Sequence, residues 1–551
     1  MTKLKMLIIG LDGATFSLLD PLMAKGQLPH LTRLQERAFR AILRSTMPPV
    51  TAPAWTSFLT GVNPGQHGIL HFLNFQTDSQ PSLMSQATEI FPGGFSLVNA
   101  RSIQLPTLWQ LLSDQGKRVG AINVPMTYPP SPINGFMIAG MPIPPNASNY
   151  TYPPELIQML PNYQIDLELH EREFAFAPHR FIRRLGEVLA RRLETTLHLI
   201  RTQPWDLFMV VLTETDRAQH RFWHWLDPND PLYMSPEAQS FRPSLEAFYG
   251  QVDAAVGALL QEAGLDCTVI LMSDHGFGPV YDRNLYRRTL EQQLGLRRRV
   301  GKSYLLQLRT LLERTVGLNR EKLYQLAGRW MPRVVLEKLE RQVHEQERRT
   351  WQTMPAYIIP LLEHIGGIFV RDSTPEFVES LITQLLAVRD PQTQQAVIQA
   401  VYRREEIYTG PHVAEFPHLI FELTPGYVLK GGIGPHGALV GPRSGDLEKQ
   451  GTHRSDGILL LAGPPIIAKT ATQVYHLEDL LPTILYLFDL PIPLNLDGHV
   501  IVEALIPEWA SRPVRYTPPM SNREAPPQTL WESYEEEELI VQHLRGIGYL
   551  S

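Results

Sequence analysis

Short apolar runs that stop at glycine or at polar residues restrict the fold of this chain more than any other feature. Longer segments with helical spacing of their apolar residues lie between them, for example residues 106–115 and 180–202. Continuous apolar runs are typical of strands buried on both faces. Their alternation with helices predicts a doubly wound α/β fold, in which helices flank a mostly parallel central sheet. Five runs are predicted strands: Leu4–Gly10, Val119–Val124, Leu207–Leu212, Thr268–Met272 and Gly457–Ala462.

Cysteine and charge content narrow the chemistry that a chain of 551 residues can perform. Cys267 is its only cysteine, which excludes an intramolecular disulfide and any thiolate-rich metal cluster, so a bound metal would need histidine and carboxylate ligands. The chain has 50 Lys and Arg residues against 56 Asp and Glu residues, a net charge of −6. This balance lacks the basic footprint of a nucleic-acid-binding protein, and we expect no nucleic-acid partner.

The sequence shows no targeting or membrane-spanning pattern. Its first apolar run ends at Asp12 and Gly13 without a small-residue cleavage site. A stretch of about 18 apolar residues, the length that spans a bilayer as a helix, occurs nowhere in the chain. We therefore expect a cytoplasmic location.

Changes in spacing and charge divide the chain into four predicted segments. Residues 1–285 form the first part of an α/β core, and residues 286–350 form a basic helical insertion, or cap. Residues 351–506 complete the core, and residues 507–551 form a tail whose terminal helix packs on the body. Helical spacing in the cap is evident at Leu305, Leu308, Leu312 and Val316.

The predicted cap is strongly basic. Residues 297–349 contain 14 Lys and Arg residues against 6 Glu residues, a net charge of +8, which leaves −14 for the rest of the chain. Such a surface can face an anionic substrate or make peripheral contact with an anionic membrane. It can equally be an ordinary solvated helical face.

Two candidate site residues lie in the first sixty positions. Asp12 follows the first predicted strand, where a carboxylate can ligate a metal or orient a phosphate, although Asp before Gly is also common in turns. Thr51 lies between Pro49 and Pro53, before a helix predicted over residues 54–60. Near the positive end of a helix dipole its hydroxyl would favour an alkoxide and a bound phosphate, but an N-cap role explains the same position.

A second pair follows the predicted strand at 207–212. Asp216 and His220 are four residues apart and share one face if the segment is helical, which directs a carboxylate and an imidazole at one ion. The same spacing also forms surface ion pairs. His224 continues the row, so spacing does not decide between the two histidines.

A third group comes from two later segments. Asp274 and His275 end the run TVILMSDHGFG, where Gly276 and Gly278 predict a loop that lets both side chains turn inward. His453 precedes the last predicted strand, and it could equally be an ordinary loop histidine.

Taken in chain order, these side chains resemble those of the alkaline phosphatase superfamily, and most closely its type I phosphodiesterase/nucleotide pyrophosphatase branch. The segment Leu477–Val500 is also similar to the closing helix and loop of that superfamily. Apart from the predicted cap, the resemblance covers residues 4 to about 510. The matching side chains are Asp12, Thr51, Asp216, His220, Asp274, His275 and His453.

The resemblance implies two divalent metal ions, with zinc as the first choice and manganese or iron as alternatives. Nitrogen and oxygen ligands suit these metals, and two ions can stabilise both reacting oxygens of an in-line displacement. One ion would be held by Asp216, His220 and His453. The other would be held by Asp12, Asp274 and His275, with Thr51 as a further ligand and as the nucleophile that forms a phosphothreonine intermediate.

Departures from the relatives narrow the substrate. Sulfatases use a Cys/Ser-x-Pro-x-Arg pattern, whereas this chain reads Thr51-Ala52-Pro53-Ala54-Trp55, which argues against a sulfatase. Relatives carry a phosphate-contacting asparagine shortly after a His-Gly-Ile element. Here Phe72 takes that place after His67-Gly68-Ile69. The nearby polar residues nominated as substitutes are Asn74, His71 and Arg217.

We expect a metal-dependent phosphohydrolase, of the phosphodiesterase/pyrophosphatase kind, that acts on a small or lipid-linked phosphoester. A phosphomutase or phosphotransferase needs the same intermediate and an acceptor site that excludes water under the cap. A non-catalytic metal-binding or membrane-surface protein of the same fold is the third hypothesis, motivated by the displaced asparagine and the basic cap. The sequence does not indicate the oligomeric state.

Overall fold

The structure is a computed structural model that describes residues 4–75, 95–160, 162–166, 178–280, 283–297, 350–371, 373–443, 449–522, 531 and 534–546. Most of the predicted cap, including its four helically spaced apolar residues, lies outside these ranges. Within the described ranges, no helix has both the length and the apolar character needed to cross a lipid bilayer.

Strands and helices alternate along most of the described chain. The strands are β1 Met6–Leu11, β2 Phe39–Arg44, β3 Leu73–Phe75, β4 Phe95–Leu97, β5 Val119–Val124, β6 Gly135–Ala139, β7 Thr151–Tyr152, β8 Leu207–Leu212, β9 Thr268–Met272, β10 Gly276–Pro279, β11 Arg283–Tyr286, β12 Ala356–Leu362, β13 Ile365–Val370, β14 Ile398–Arg403, β15 Leu419–Leu423, β16 Tyr427–Lys430, β17 Val440–Pro442, β18 Gly451–Arg454, β19 Asp456–Ala462, β20 Lys469–His476, β21 Ile492–Pro493 and β22 Tyr516–Thr517. The helices are α1 Phe16–Ala24, α2 Pro29–Glu36, α3 Thr51–Thr60, α4 Pro64–His67, α5 Leu108–Asp114, α6 Pro178–Thr202, α7 Glu214–Leu226, α8 Pro236–Ala263, α9 Arg287–Gln293, α10 Pro375–Leu386, α11 Arg404–Ile407, α12 Leu480–Leu487, α13 Pro507–Ala510 and α14 Tyr534–Gly546.

A nine-stranded sheet forms the centre of the molecule, in the order β20-β2-β19-β9-β1-β8-β5-β6-β7. Strands β1, β5, β8 and β9 are buried along their whole length and run parallel to their neighbours among themselves. All five predicted strands belong to this sheet, so the predicted α/β class is confirmed. One direction differs from the expectation, because β19 runs antiparallel to both β9 and β2.

Both faces of the sheet are covered, as the apolar runs predict. Along β1, Leu7 and Ile9 enter one hydrophobic core while Met6 and Ile8 enter a second core on the opposite face. Helices α6 and α8 pack in the first core, and α3 and α12 pack in the second. A strand that is buried on both faces has no polar face, so polar and apolar residues do not alternate in its sequence.

The topology brings distant segments to one edge of the sheet. Strands β8 and β9 flank β1 in parallel register, so the residues that follow these three strands emerge together at their carboxyl ends. Since β19 runs the other way, its first residues lie at that same edge. The segment that precedes β19 includes β18. It therefore crosses the carboxyl-terminal edge of β1, β8 and β9, where the candidate ligands that follow these strands lie.

A separate antiparallel sheet lies within the segment predicted as the second part of the core. Its strands are ordered β12-β13-β15-β14, and helix α10 connects β13 to β14. The predicted segment boundaries at 286, 351 and 507 stay predictions. The terminal helix does pack on the body, as expected, because Ile540, Val541 and Leu544 of α14 are buried in the first core.

Candidate metal centre

Thr51 begins helix α3 and is fully buried. The N-cap is Val50, and no side chain caps the helix, so the N-cap interpretation of Thr51 is wrong. The helix also starts three residues earlier than predicted. The hydroxyl lies 3.2 Å from Nε2 of His275, at the positive end of the helix dipole.

The first cluster of donor atoms forms around His275. Its Nε2 lies 3.3 Å from Oδ2 of Asp274 and 3.7 Å from Oδ1 of Asp12. Asp12 directly follows β1, and the other two residues follow the neighbouring strand β9 after one intervening serine. Among the described residues, those two carboxylate oxygens accept no hydrogen bond although both are buried. Buried oxygens of this kind need a positive partner, which a metal ion would supply.

The pKa shifts of the carboxyl groups in this cluster also favour a bound cation. Burial, followed by the charges of Asp274 and Asp216, raises the pKa of Asp12 well above its ordinary value. Burial raises the pKa of Asp274 to about 8, and the charge of Asp216 adds to this shift. Three carboxyl groups crowded into a buried space are stable as anions only beside compensating positive charge.

The second cluster joins helix α7 to strand β18. Oδ1 of Asp216 lies 3.4 Å from Nε2 of His220 and 3.2 Å from Nε2 of His453, and the two imidazole nitrogens are 3.0 Å apart. Asp216 and His220 share one face of α7, as their four-residue spacing predicts. His224, one turn further, instead bonds to Asp230 at 2.5 Å. The structure thus separates the two histidines that spacing could not.

The two clusters are in contact. The rings of His275 and His453 stack with their centroids 3.6 Å apart. Donor atoms of Asp216, His275 and His453 all lie within 4.8 Å of one another, and so do those of Asp12, Asp274 and His275. Seven predicted site residues, from five separate stretches of the chain, therefore form one buried constellation.

All three histidines hold the tautomer that metal binding requires. Nδ1 of His220 lies 2.9 Å from the Gly451 carbonyl, Nδ1 of His453 lies 2.9 Å from the Pro49 carbonyl, and Nδ1 of His275 lies 3.1 Å from the Gly276 carbonyl. A carbonyl oxygen only accepts, so each Nδ1–H donates, and in the neutral ring Nε2 then carries the lone pair. Burial lowers the pKa of His220 to about 3 and that of His275 well below its ordinary value, so both rings are neutral at neutral pH.

Strand β18 is held by its pairing with β10, which also approaches the backbone of β19 closely. It pairs antiparallel with β10, which places Phe277 opposite His453. Gly276 and Gly278 were predicted to lie in a loop, but they belong to β10. A Cβ atom on Gly276 would lie 2.0 Å from the Asp456 carbonyl oxygen, so only glycine fits there. We refer to residues 449–454, which carry His453 and cross the site, as the ligand strap.

A family model described as type I phosphodiesterase/nucleotide pyrophosphatase matches residues 6–457. The chain belongs to this family. The solved structure of murine ectonucleotide pyrophosphatase/phosphodiesterase 5 is similar to it with a TM-score of 0.50 and 13% sequence identity, covering 91% of this chain and 100% of that one. Phosphonoacetate hydrolase from Sinorhizobium meliloti 1021, in complex with phosphonoformate, gives a TM-score of 0.48 and 14% identity, covering 87% and 94%. Comparison with curated proteins finds no match.

Membership in the type I phosphodiesterase family confirms the resemblance drawn from the sequence. The match to the murine phosphodiesterase supports the alkaline phosphatase-like fold, a mostly parallel sheet flanked by helices. The family consists of phosphoester hydrolases, and the buried constellation supplies candidate metal ligands of the expected chemistry.

The three residues nominated to replace the family's asparagine have different surroundings. Arg217 is buried and donates to Asp216 Oδ2 at 2.8 Å and to Asp166 Oδ2 at 2.9 Å, so it orients a candidate ligand. His71 is buried, and burial lowers its pKa to about 4. Asn74 is exposed on β3, and among the described residues no hydrogen bond joins it to the site. Phe72, at the family position, is fully buried in the first core.

Several residues around the type I phosphodiesterase site were not anticipated. Trp55 donates from Nε1 to Asp12 Oδ2 at 3.4 Å, and its position one turn after Thr51 is the signal that could have revealed it. Glu363, in the turn between β12 and β13, binds two residues of the ligand strap. Nothing in the local sequence around Glu363 signals this contact, because its partners are almost ninety residues away.

Proposed function

We propose that this chain is a metal-dependent phosphohydrolase, close to a phosphodiesterase or nucleotide pyrophosphatase, that cleaves a phosphoester through a phosphothreonine at Thr51. The observation that carries the proposal is the placement of a buried hydroxyl 3.2 Å from His275, beside two contiguous clusters of carboxylate oxygens and imidazole nitrogens. Asp12, Asp274, His275 and Thr51 would hold one divalent ion. Asp216, His220 and His453 would hold the other, and their nitrogen and oxygen donors favour zinc, with manganese or iron as alternatives.

Each part of the site has a definite task in this proposal. When bound, two such ions polarise a phosphoryl oxygen and favour the ionised forms of the nucleophilic hydroxyl and of water. Thr51 Oγ1 attacks phosphorus, forming a P–O bond as the bond to the leaving alcohol breaks, and the alcohol departs with a proton. Water then attacks the phosphothreonine, which releases phosphate or a phosphomonoester and restores the hydroxyl. Helix α3 contributes its positive end to the anionic phosphoryl group throughout.

The substrate is proposed to be a small or lipid-linked phosphoester. Membership in the type I phosphodiesterase family supports a diester or pyrophosphate over a monoester. A cytoplasmic location and peripheral contact with an anionic membrane through residues 297–349 stay proposals. Of that segment, only residue 297 is among the described residues.

The decisive test removes the nucleophile without disturbing the helix. Thr51→Ala should retain bound metal, measured by plasma mass spectrometry, but lose at least about a thousand-fold in turnover of generic diester, monoester and phosphonate substrates. Thr51→Ser should keep part of the activity. Thr56→Ala is the matched control, because Thr56 is equally buried in the same helix but donates its hydroxyl to the Ala52 carbonyl at 2.7 Å. Full activity in Thr51→Ala would sink the covalent mechanism.

Product analysis distinguishes the hydrolase from the other two hypotheses. Phosphorus NMR of reactions that contain an added alcohol should show phosphate or a phosphomonoester, whereas a transferase would place the phosphoryl group on the alcohol. Turnover of none of the three substrate types, together with co-sedimentation of the protein with anionic liposomes, would favour the non-catalytic membrane-surface protein.

A further inference from the structure

In the part of the chain that the structure describes, the separate antiparallel sheet contacts the ligand strap through the turn between β12 and β13. Glu363 in this turn accepts a hydrogen bond from Lys449 Nζ at 2.5 Å and another from Thr452 Oγ1 at 2.6 Å. The Glu363 side chain is only 15% exposed and that of Lys449 only 20%. The Glu363 carboxylate therefore holds the ligand strap at two residues, Lys449 and Thr452, which flank Gln450 and Gly451.

The stretch between these two contacts controls both histidines of the second cluster. Gln450 donates its backbone N–H to the His220 carbonyl at 2.7 Å, and the Gly451 carbonyl accepts from Nδ1 of His220 at 2.9 Å. His453 comes next to Thr452. A shift of the strap would therefore misplace His453 and also remove the carbonyl that sets the His220 tautomer.

We propose that Glu363 is a positioning residue for the metal position formed by Asp216, His220 and His453. This inference rests on the proposed metal-dependent function. The carboxylate fixes the ligand strap to the second sheet, so that this sheet takes part in building the centre. Glu363 acts through the strap and touches none of the three candidate ligands in the described hydrogen bonds and ion pairs.

Glu363 would also have an electrostatic role, because its carboxylate neutralises the charge of Lys449. The ammonium of Lys449 acts electrostatically on His220. Left alone, this partly buried positive charge would oppose a metal cation beside the same imidazole. The Glu363 carboxylate neutralises it at 2.5 Å. Lys449 and Thr452 together also lower the pKa of Glu363, although burial opposes its ionisation, so the carboxylate is charged at neutral pH.

The test measures metal affinity of the full-length protein rather than activity. Zinc would be titrated into metal-free protein in competition with a chromophoric chelator, for wild type, Glu363→Gln, Lys449→Met and Thr452→Val. We expect Glu363→Gln to weaken one of two zinc equivalents by about ten-fold or more, and Thr452→Val to weaken the same equivalent less. Glu422→Gln is the matched control, since Glu422 lies in the same sheet and bonds only Gln399 and Tyr402 in the described hydrogen bonds.

The outcomes separate this inference from the proposed function. Absence of zinc, manganese and iron binding in wild type would overturn both. Two zinc equivalents in wild type with equal affinities in Glu363→Gln and Glu422→Gln would overturn the positioning role alone. Selective loss of one equivalent, with the metal-free unfolding midpoint unchanged, supports it, as does partial recovery in the Glu363→Gln/Lys449→Met double variant. If Glu363→Gln fails to fold, Thr452→Val decides, because unchanged zinc affinity in that isosteric variant would contradict the proposal.

Discussion

His220 and His453 point their Nε2 atoms at each other across 3.0 Å, while both Nδ1 atoms already donate to backbone carbonyls. In their neutral forms neither ring can then donate to the other, and the two Nε2 lone pairs repel at this distance. A cation between them, also facing Asp216, removes that repulsion. Metal binding at this site should therefore stabilise the folded state of the whole chain.

The first prediction follows from that relationship. Metal-free protein should unfold at a lower temperature than protein with zinc, because the ion binds only the folded arrangement. At a zinc concentration one hundred times Kd, the stabilisation should be about 2.7 kcal/mol. Differential scanning fluorimetry with chelator or zinc measures it. His453→Ala should reduce the response, whereas His224→Ala, which alters an imidazole bonded to Asp230, should keep it. A wild-type midpoint insensitive to chelator and zinc would contradict the prediction.

The second prediction concerns the arginine between two buried carboxylates. Arg217→Gln leaves Asp216 and Asp166 without their shared partner, and breaking a buried ion pair in this way costs about 3 to 5 kcal/mol of unfolding free energy. Urea unfolding of metal-free protein measures the loss. Arg183→Gln provides the comparison, because Arg183 pairs with Glu187 at an exposed site and should cost no more than about 1 kcal/mol. Equal losses in the two variants would refute the buried-pair argument.

The third prediction concerns the closest backbone approach near the site. Gly276→Ala should destabilise the protein by about 1 to 3 kcal/mol or more, because its Cβ would meet the backbone carbonyl oxygen of Asp456 in β19. It should also weaken zinc binding, since Asp274 and His275 directly precede it. Gly250→Ala is the control: its Cβ would meet nothing within 4 Å in helix α8, and it should be neutral or stabilising by up to about 1 kcal/mol. Thermal unfolding and zinc titration of both variants measure these effects. Indistinguishable results for the two variants would contradict the prediction, because they would show that the backbone can move away from the added Cβ.

The fourth prediction is a pH dependence at a carboxyl remote from the metal ligands. Burial, with the charges of Asp479 and Asp497, raises the pKa of Glu478 from 4.5 to about 7. Between these values the unfolded chain has released a proton that the folded protein keeps. The contribution of Glu478 to stability is thus complete below pH 4.5 and is lost as pH rises through about 7.

Glu478→Gln mimics the protonated side chain and should remove this dependence. At pH 8 it should be more stable than wild type by on the order of 1 to 3 kcal/mol, and near pH 4.5 the two should converge. Urea unfolding at both pH values measures the difference. Exposed Glu508 supplies the control substitution Glu508→Gln, which should track wild type at both. A constant difference between Glu478→Gln and wild type across the range would count against the shifted pKa.

The predictable part of the structure was the part that local sequence determines. Strands β1, β8 and β9 are continuous apolar runs because both their faces are covered, and their parallel register brings Asp12, Asp216 and Asp274 to one edge. Helical spacing likewise placed Asp216 and His220 on one face of α7. Each of these inferences needs only a few consecutive residues and a general rule about sheets or helices.

The remainder depends on contacts between distant segments. An apolar run does not reveal strand direction, so the antiparallel course of β19 was not evident from Gly457–Ala462. The site's dependence on Glu363 arises across a span of more than eighty residues. Gly276 and Gly278 fit a loop and a crowded strand equally well from sequence, and only the nearby Asp456 carbonyl distinguishes the two for Gly276.

The late place of β18 in the chain also sets the order in which the candidate ligands are synthesised. A ribosome that has translated residue 275 has already produced six of the seven candidate donor side chains. The seventh, His453, is 233 residues beyond His220, its neighbour in the site. Asp12, Asp274 and His275 are thus all synthesised early, but the position formed by Asp216, His220 and His453 is incomplete until the ligand strap is made and seated. Occupancy of that position would report that the carboxyl-terminal third of the chain has reached its native place.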